Sequence, residues 1–81
     1  MKPLSNNLTK ILKVDYPIIQ APMGWIARYQ LACAVSEAGG LGIIETSSGE
    51  LEQIRKEIKL MRQNTEKPFG VNIAQAFVKA V

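Results

Sequence analysis

Three short apolar runs, separated by two helical patterns, restrict the fold of this 81-residue chain more than any other feature. The runs are Ile18-Ile19-Gln20-Ala21, Leu41-Gly42-Ile43-Ile44 and Phe69-Gly70-Val71-Asn72-Ile73. The first is apolar on both sides and ends at Pro22, which suits a strand buried on each face of a parallel sheet. The order strand, helix, strand, helix, strand predicts consecutive right-handed crossovers joining parallel strands.

The run centres Ile18, Ile43 and Val71 lie 25 and 28 residues apart. An eight-fold barrel of roughly 250 residues averages about 30 per strand–helix unit. The chain therefore reads as an α/β segment, about two and a half units from the start of a TIM (β/α)8 barrel. Residues 1–81 are expected to be the amino-terminal, incomplete portion of that domain. A parallel sheet of three strands standing alone would expose two long unpaired edges, which proteins avoid.

The helices carry their own signals. Leu31, Ala32, Val35 and Ala38 give a narrow stripe of mostly small apolar residues between Arg28 and Ala38, and Gly39-Gly40 supplies a stop. The pattern from Glu50 to Asn64 is the clearest in the chain, with Leu51, Ile54, Ile58 and Met61 at intervals of three, four and three. Ser47 and Glu50 have the spacing of a capping box, and Glu52 precedes Lys56 by four residues as a favourable pair. Ahead of the first strand, Asn7 to Lys13 predicts a helical turn carrying Leu8, Ile11 and Leu12, broken before Pro17.

Composition removes several classes of function. Ten basic and seven acidic residues leave a surplus of three positive charges, and 47% of the residues are hydrophobic, so a collapsed chain is expected. The basic residues are scattered instead of forming a stripe interleaved with aromatics, which argues against a nucleic-acid partner. No apolar run approaches the roughly 20 residues that span a bilayer, so no membrane partner is expected. The first residues lack a basic segment followed by an apolar stretch, and cytoplasm is the expected compartment. One cysteine, Cys33, forms no internal disulfide and reads as a packing residue in a helix. With no histidine, neither an imidazole base nor a Cys/His zinc site can come from these residues.

Ligands of parallel α/β sheets bind beyond the carboxyl ends of the strands. Those positions are Gln20 to Trp25, Glu45 to Gly49 and Asn72 to Gln75. Ala21-Pro22-Met23-Gly24 combines a rigid proline with small neighbours. It reads equally as a loop offering backbone groups to a flat ligand or as a plain strand-ending turn. Asn72 could meet a ligand's polar atoms or be satisfied by neighbouring backbone, and Gln20 is open to the same two readings. Glu45 ends the second strand and could act as an acid or base, but with no visible partner it reads as a solvated loop carboxylate. Gly39-Gly40-Leu41-Gly42 follows a helix and precedes a strand, the reverse of a dinucleotide-binding fingerprint.

Three blocks carry a resemblance to a known family: residues 16–23 (YPIIQAPM), 34–42 (AVSEAGGLG) and 67–73 (KPFGVNI). Together, in this order and spacing, they resemble the amino-terminal third of nitronate monooxygenases, formerly called 2-nitropropane dioxygenases. Flavin-dependent enoyl-[acyl-carrier-protein] reductases share much of the pattern, and Gly24-Trp25 resembles that branch as much. The resemblance implies an FMN-binding TIM barrel that oxidises alkyl nitronates with molecular oxygen. It implies that Ala21, Pro22 and Met23 lie against the flavin, that Asn72 contacts it, and that Gln75 is a further candidate. The family's histidine base comes from later strands, so no catalytic residue is assigned here. A small-molecule substrate is implied, and homo-oligomer formation stays open. The non-enzymatic alternative is a stand-alone or truncated α/β module whose sheet edges are covered by association.

Overall fold

The computed structural model describes residues 5–24, 28–46 and 50–73. Five elements follow in order: α1 (Asn7–Leu12), α2 (Tyr29–Glu37), β1 (Gly42–Glu45), α3 (Leu51–Asn64) and β2 (Phe69–Asn72). The strands β1 and β2 pair in parallel, with Gly42 opposite Phe69 and Glu45 opposite Asn72. The crossover expected between the second and third runs is therefore present, with α3 as its helix.

The first run departs from expectation. It joins β1 by a single parallel bridge, Ile19 to Leu41, and not as a full strand. Leu41 N–H donates to the Ile18 carbonyl at 2.9 Å, and Gln20 N–H donates to the Leu41 carbonyl at 3.0 Å. The next step of a parallel ladder needs an N–H on residue 22 to reach the Ile43 carbonyl. Pro22 has none. The Gln20 side chain takes over, donating from Nε2 to the Ile43 carbonyl at 2.9 Å and accepting from the Ile43 N–H at 3.2 Å. Burial on both faces is also not realised, since Ile18 and Ile19 are 59% and 51% exposed.

The core lies between the sheet and the two long helices. Ala32 of α2, Ile44 of β1 and Met61 of α3 are fully buried, with Tyr29, Cys33, Ile58 and Phe69 packed around them. Small side chains on α2 permit a very close approach to β1. A Cβ placed on Gly42 would clash with the Ala32 carbonyl oxygen, so only glycine fits. Ser36 welds the same corner: its hydroxyl donates to the Pro68 carbonyl at 2.8 Å and accepts from the Gly42 N–H at 3.0 Å. Helix α2 ends as the glycine pair predicts, with Gly39 at φ +105° and its would-be Cβ against the Tyr16 ring.

Two helix starts differ from their sequence signals. Glu50 is the N-cap of α3 and makes no side-chain cap bond, so it is not the third residue of a capping box. Ser47 lies outside the described residues. A reciprocal box forms instead at α1, where Thr9 N–H donates to Asn6 Oδ1 at 2.9 Å and Asn6 N–H to Thr9 Oγ1 at 2.8 Å. Along α3, Met61 is buried as its spacing predicts, but Leu51 is 67% exposed. Glu52 pairs with Arg55, three residues on, where spacing predicts Lys56. Leu8 and Ile11 of α1 are exposed, and Thr9 is the buried residue of that helix.

Candidate functional site

Parallel pairing decides where chemistry can collect. The Ile18–Gln20 segment lies beside β1, and β1 beside β2, so all three run the same way with β1 in the middle. Their carboxyl ends open on one edge. The β1–β2 register pairs Glu45 with Asn72 at that edge, and the residues after Gln20 run on unpaired from the Ile19–Leu41 bridge. Adjacent strands lie about 4.8 Å apart, so the first segment and β2, on either side of β1, are about 10 Å apart.

Alternation along the strands sorts the side chains of this edge. Ile44 points into the helix-side core, so Ile43 and Glu45 belong to the opposite face. Gly70, paired with Ile43, confirms the assignment, because a Cβ built on it would meet Ile43 Cδ1 at 2.7 Å. Asn72, two residues further, shares that face with Glu45. The strand-end residues Ala21, Pro22, Met23 and Gly24 are exposed, and Asn72 is half-buried. Gln75 lies outside the described residues.

Gln20 and Asn72 are positioned by identifiable bonds. Gln20 is spent on the Ile43 backbone, which is the structural reading of that residue. Thr46 Oγ1 donates to the Asn72 carbonyl at 2.6 Å, fixing the end of β2 to the end of β1 through Asn72's backbone. The far end of the 21–28 connection is fixed by α3. The backbone N–H of Tyr29, at the start of α2, donates to Glu57 Oε2 at 3.0 Å. Arg28 at 3.7 Å and Gln53 Nε2 at 3.0 Å engage the other oxygen of Glu57. The Arg28 cap position has no side-chain cap of its own, so a carboxylate from the next helix supplies one.

Glu45 corrects the sequence reading. It ends the strand as expected, but its carboxylate is not solvated: it is 8% exposed and interacts within the chain. The signal was its direct continuation of the buried Gly42–Ile44 run. Cys33 is partly buried against the core, with Sγ 3.6 Å from the Asn64 carbonyl, as a packing residue should be. Among the described residues no cluster of His, Cys, Asp and Glu could hold a metal, and no helix is long and apolar enough to cross a membrane.

The nitronate monooxygenase family model matches residues 5–79. This chain belongs to the nitronate monooxygenase family. A Staphylococcus aureus (strain JH9) protein named "Probable nitronate monooxygenase" is 43% identical over 68 residues, covering 84% of this chain and 19% of its own length. A Mycobacterium tuberculosis 5-hydroxy-7a-methyl-1-oxo-octahydro-1H-indene-4-carboxyl-CoA dehydrogenase is 39% identical over 70 residues, covering 86% of this chain and 20% of its own. Among solved structures, FabK from Thermotoga maritima superposes with a TM-score of 0.83 at 46% identity, over 86% of this chain and 22% of that one. A nitroalkane oxidase from Streptomyces ansochromogenes gives 0.71 at 45% identity, over 82% and 19%. The chain thus spans about a fifth of the length of the curated relatives it matches.

Proposed function

We propose that the whole protein is an FMN-dependent nitronate monooxygenase with a TIM barrel, oxidising alkyl nitronates with molecular oxygen, and that this segment supplies one wall of its flavin site. The observation that carries the reading is the common carboxyl edge, where Glu45 and Asn72 pair in register and the 21–24 loop follows the segment bridged to the same strand, all within the residues that the family model matches. Such a wall suits a flat, polar-rimmed group. The loop is exposed, a Cβ on Gly24 would meet nothing within 4 Å, and Met23 at 38% exposure offers an apolar surface for stacking. Bound FMN supplies the redox chemistry, taking electrons from the substrate and passing them to oxygen.

The chain's own residues bind and orient. Ala21, Pro22 and Met23 present backbone groups and an apolar side chain to the ring. Asn72 offers an amide that donates and accepts, and Gln75 is a further contact. No catalytic base is assigned to this segment. The proposed setting is the cytoplasm, with a small-molecule substrate, no nucleic-acid or membrane partner, and homo-oligomer formation open.

A second reading is an NAD(P)H-dependent enoyl-[acyl-carrier-protein] reductase of the flavin type, since the Gly24-Trp25 pair after the loop resembles that branch as much as the monooxygenase one. Identity does not divide the two, being 46% to the FabK structure and 45% to the nitroalkane oxidase. The test is the purified whole protein reconstituted with FMN. Oxygen uptake with an alkyl nitronate is the expected result. NAD(P)H oxidation with an enoyl thioester, and no oxygen uptake, selects the reductase. Failure to take up FMN overturns both.

A further inference from the structure

Pairing between β1 and β2 ends at Glu45 and Asn72, and Thr46 is the next residue of the chain. Its hydroxyl reaches across the sheet and donates to the Asn72 carbonyl at 2.6 Å, a bond between residues 26 apart in sequence. That length is at the short end for an O–H···O bond, and both residues are half-buried, so water competes poorly for either group. The last residue of a strand ordinarily frays, because nothing beyond it holds its peptide plane. Here the plane leaving Asn72 is held by a side chain one step past the register. Only the backbone of Asn72 is spent in this way. Its side chain, by alternation with the core-facing positions, stands on the face turned away from α2 and α3. The rotamers open to a side chain depend on φ and ψ of its own residue, so holding the carbonyl narrows the directions in which the amide points.

We infer that Thr46 is a positioning residue of the flavin site: by holding the Asn72 carbonyl, it aims the Asn72 amide at the bound flavin. This rests on the flavin reading above. Thr46 acts through Asn72 and not by touching the cofactor. An amide that is already aimed loses less freedom when its ligand arrives, and the difference appears as affinity. A hydroxyl that only strengthened the sheet would affect FMN binding to the same degree whatever side chain stood at position 72.

The experiment uses the whole protein and reads the melting temperature and the FMN dissociation constant, the latter by quenching of flavin fluorescence. It compares wild type, Thr46→Val, Thr46→Ser, Asn72→Ala and the Thr46→Val, Asn72→Ala double variant. Thr46→Val keeps the branched shape and removes the donor. It is expected to weaken FMN binding about fivefold, the scale of one neutral hydrogen bond. Thr46→Ser keeps the donor and is expected to bind within about twofold of wild type. In the Asn72→Ala background, Thr46→Val is expected to add no further loss. A folded Thr46→Val protein with wild-type affinity, or an equal loss in the Asn72→Ala background, overturns the inference and leaves the flavin reading standing. Thr46→Ser binding as weakly as Thr46→Val overturns it too. If Thr46→Val does not fold, Thr46→Ala takes its place in the same cycle and is read in the same way. Wild type that takes up no FMN overturns the flavin reading and this inference with it.

Discussion

Gln20 holds both backbone groups of Ile43 through its side-chain amide, with Nε2 2.9 Å from the carbonyl and Oε1 3.2 Å from the N–H. The pair stands where a second backbone bridge would form if residue 22 had an N–H. Replacing Gln20 by alanine strands two backbone groups of β1, and should cost about 1–3 kcal/mol in urea denaturation. The same substitution in a Pro22→Ala background should cost less, because an alanine at that position restores the missing donor. A double-mutant cycle on the whole protein should give a coupling of about 1 kcal/mol. Strict additivity would show that the amide does not stand in for the ladder.

Gly42 is expected to tolerate no side chain. An added methyl would collide with the backbone oxygen of Ala32, and backbone cannot swing aside as a flexible side chain does. Gly42→Ala should destabilise by about 3 kcal/mol or more, as overpacking that moves a helix does. A melting temperature within a degree of wild type would contradict this contact.

Glu57→Ala removes the acceptor for Tyr29 N–H and leaves Arg28 without this partner at the helix-side corner. Its cost should be about 2–3 kcal/mol. Glu57→Gln retains an acceptor for Tyr29 and should recover more than half of that. Hydrogen exchange should show faster opening of the first turn of α2 in the alanine variant, with α3 little changed.

Asn72→Ala should separate binding from folding. Thr46 holds the backbone carbonyl of Asn72, a bond that does not need its side chain. The variant should therefore melt near wild type while FMN binds about tenfold more weakly, measured by quenching of flavin fluorescence. Unaltered affinity would remove Asn72 from the flavin wall.

Where sequence and structure agree, the cause is periodicity. The α3 pattern and the α2 stripe marked both helices to within a residue or so, because one face of each must meet the sheet. The Ile43 and Val71 runs became paired parallel strands for the same reason. What the pattern could not carry is partnership across the fold. Nothing near Pro22 says that the Gln20 amide will replace its missing donor. Nothing near Arg28 says that α2 will be capped from α3. The sequence places Glu45 at the end of the second strand but shows no partner for it, so its burial is not legible there. The Asn6–Thr9 box went unread because threonine stands where glutamate or glutamine is usual.

The Tyr29–Glu57 bond spans 28 residues, so the opening turn of one unit is completed by a group from the unit after it. The repeat is therefore not modular. A graft or circular permutation that parts α2 from α3 would deliver a helix with a frayed beginning, and the slack would pass straight into the loop behind Met23. Domain-shuffling cuts in this fold belong after α3, where each borrowed helix still travels with the neighbour that finishes it.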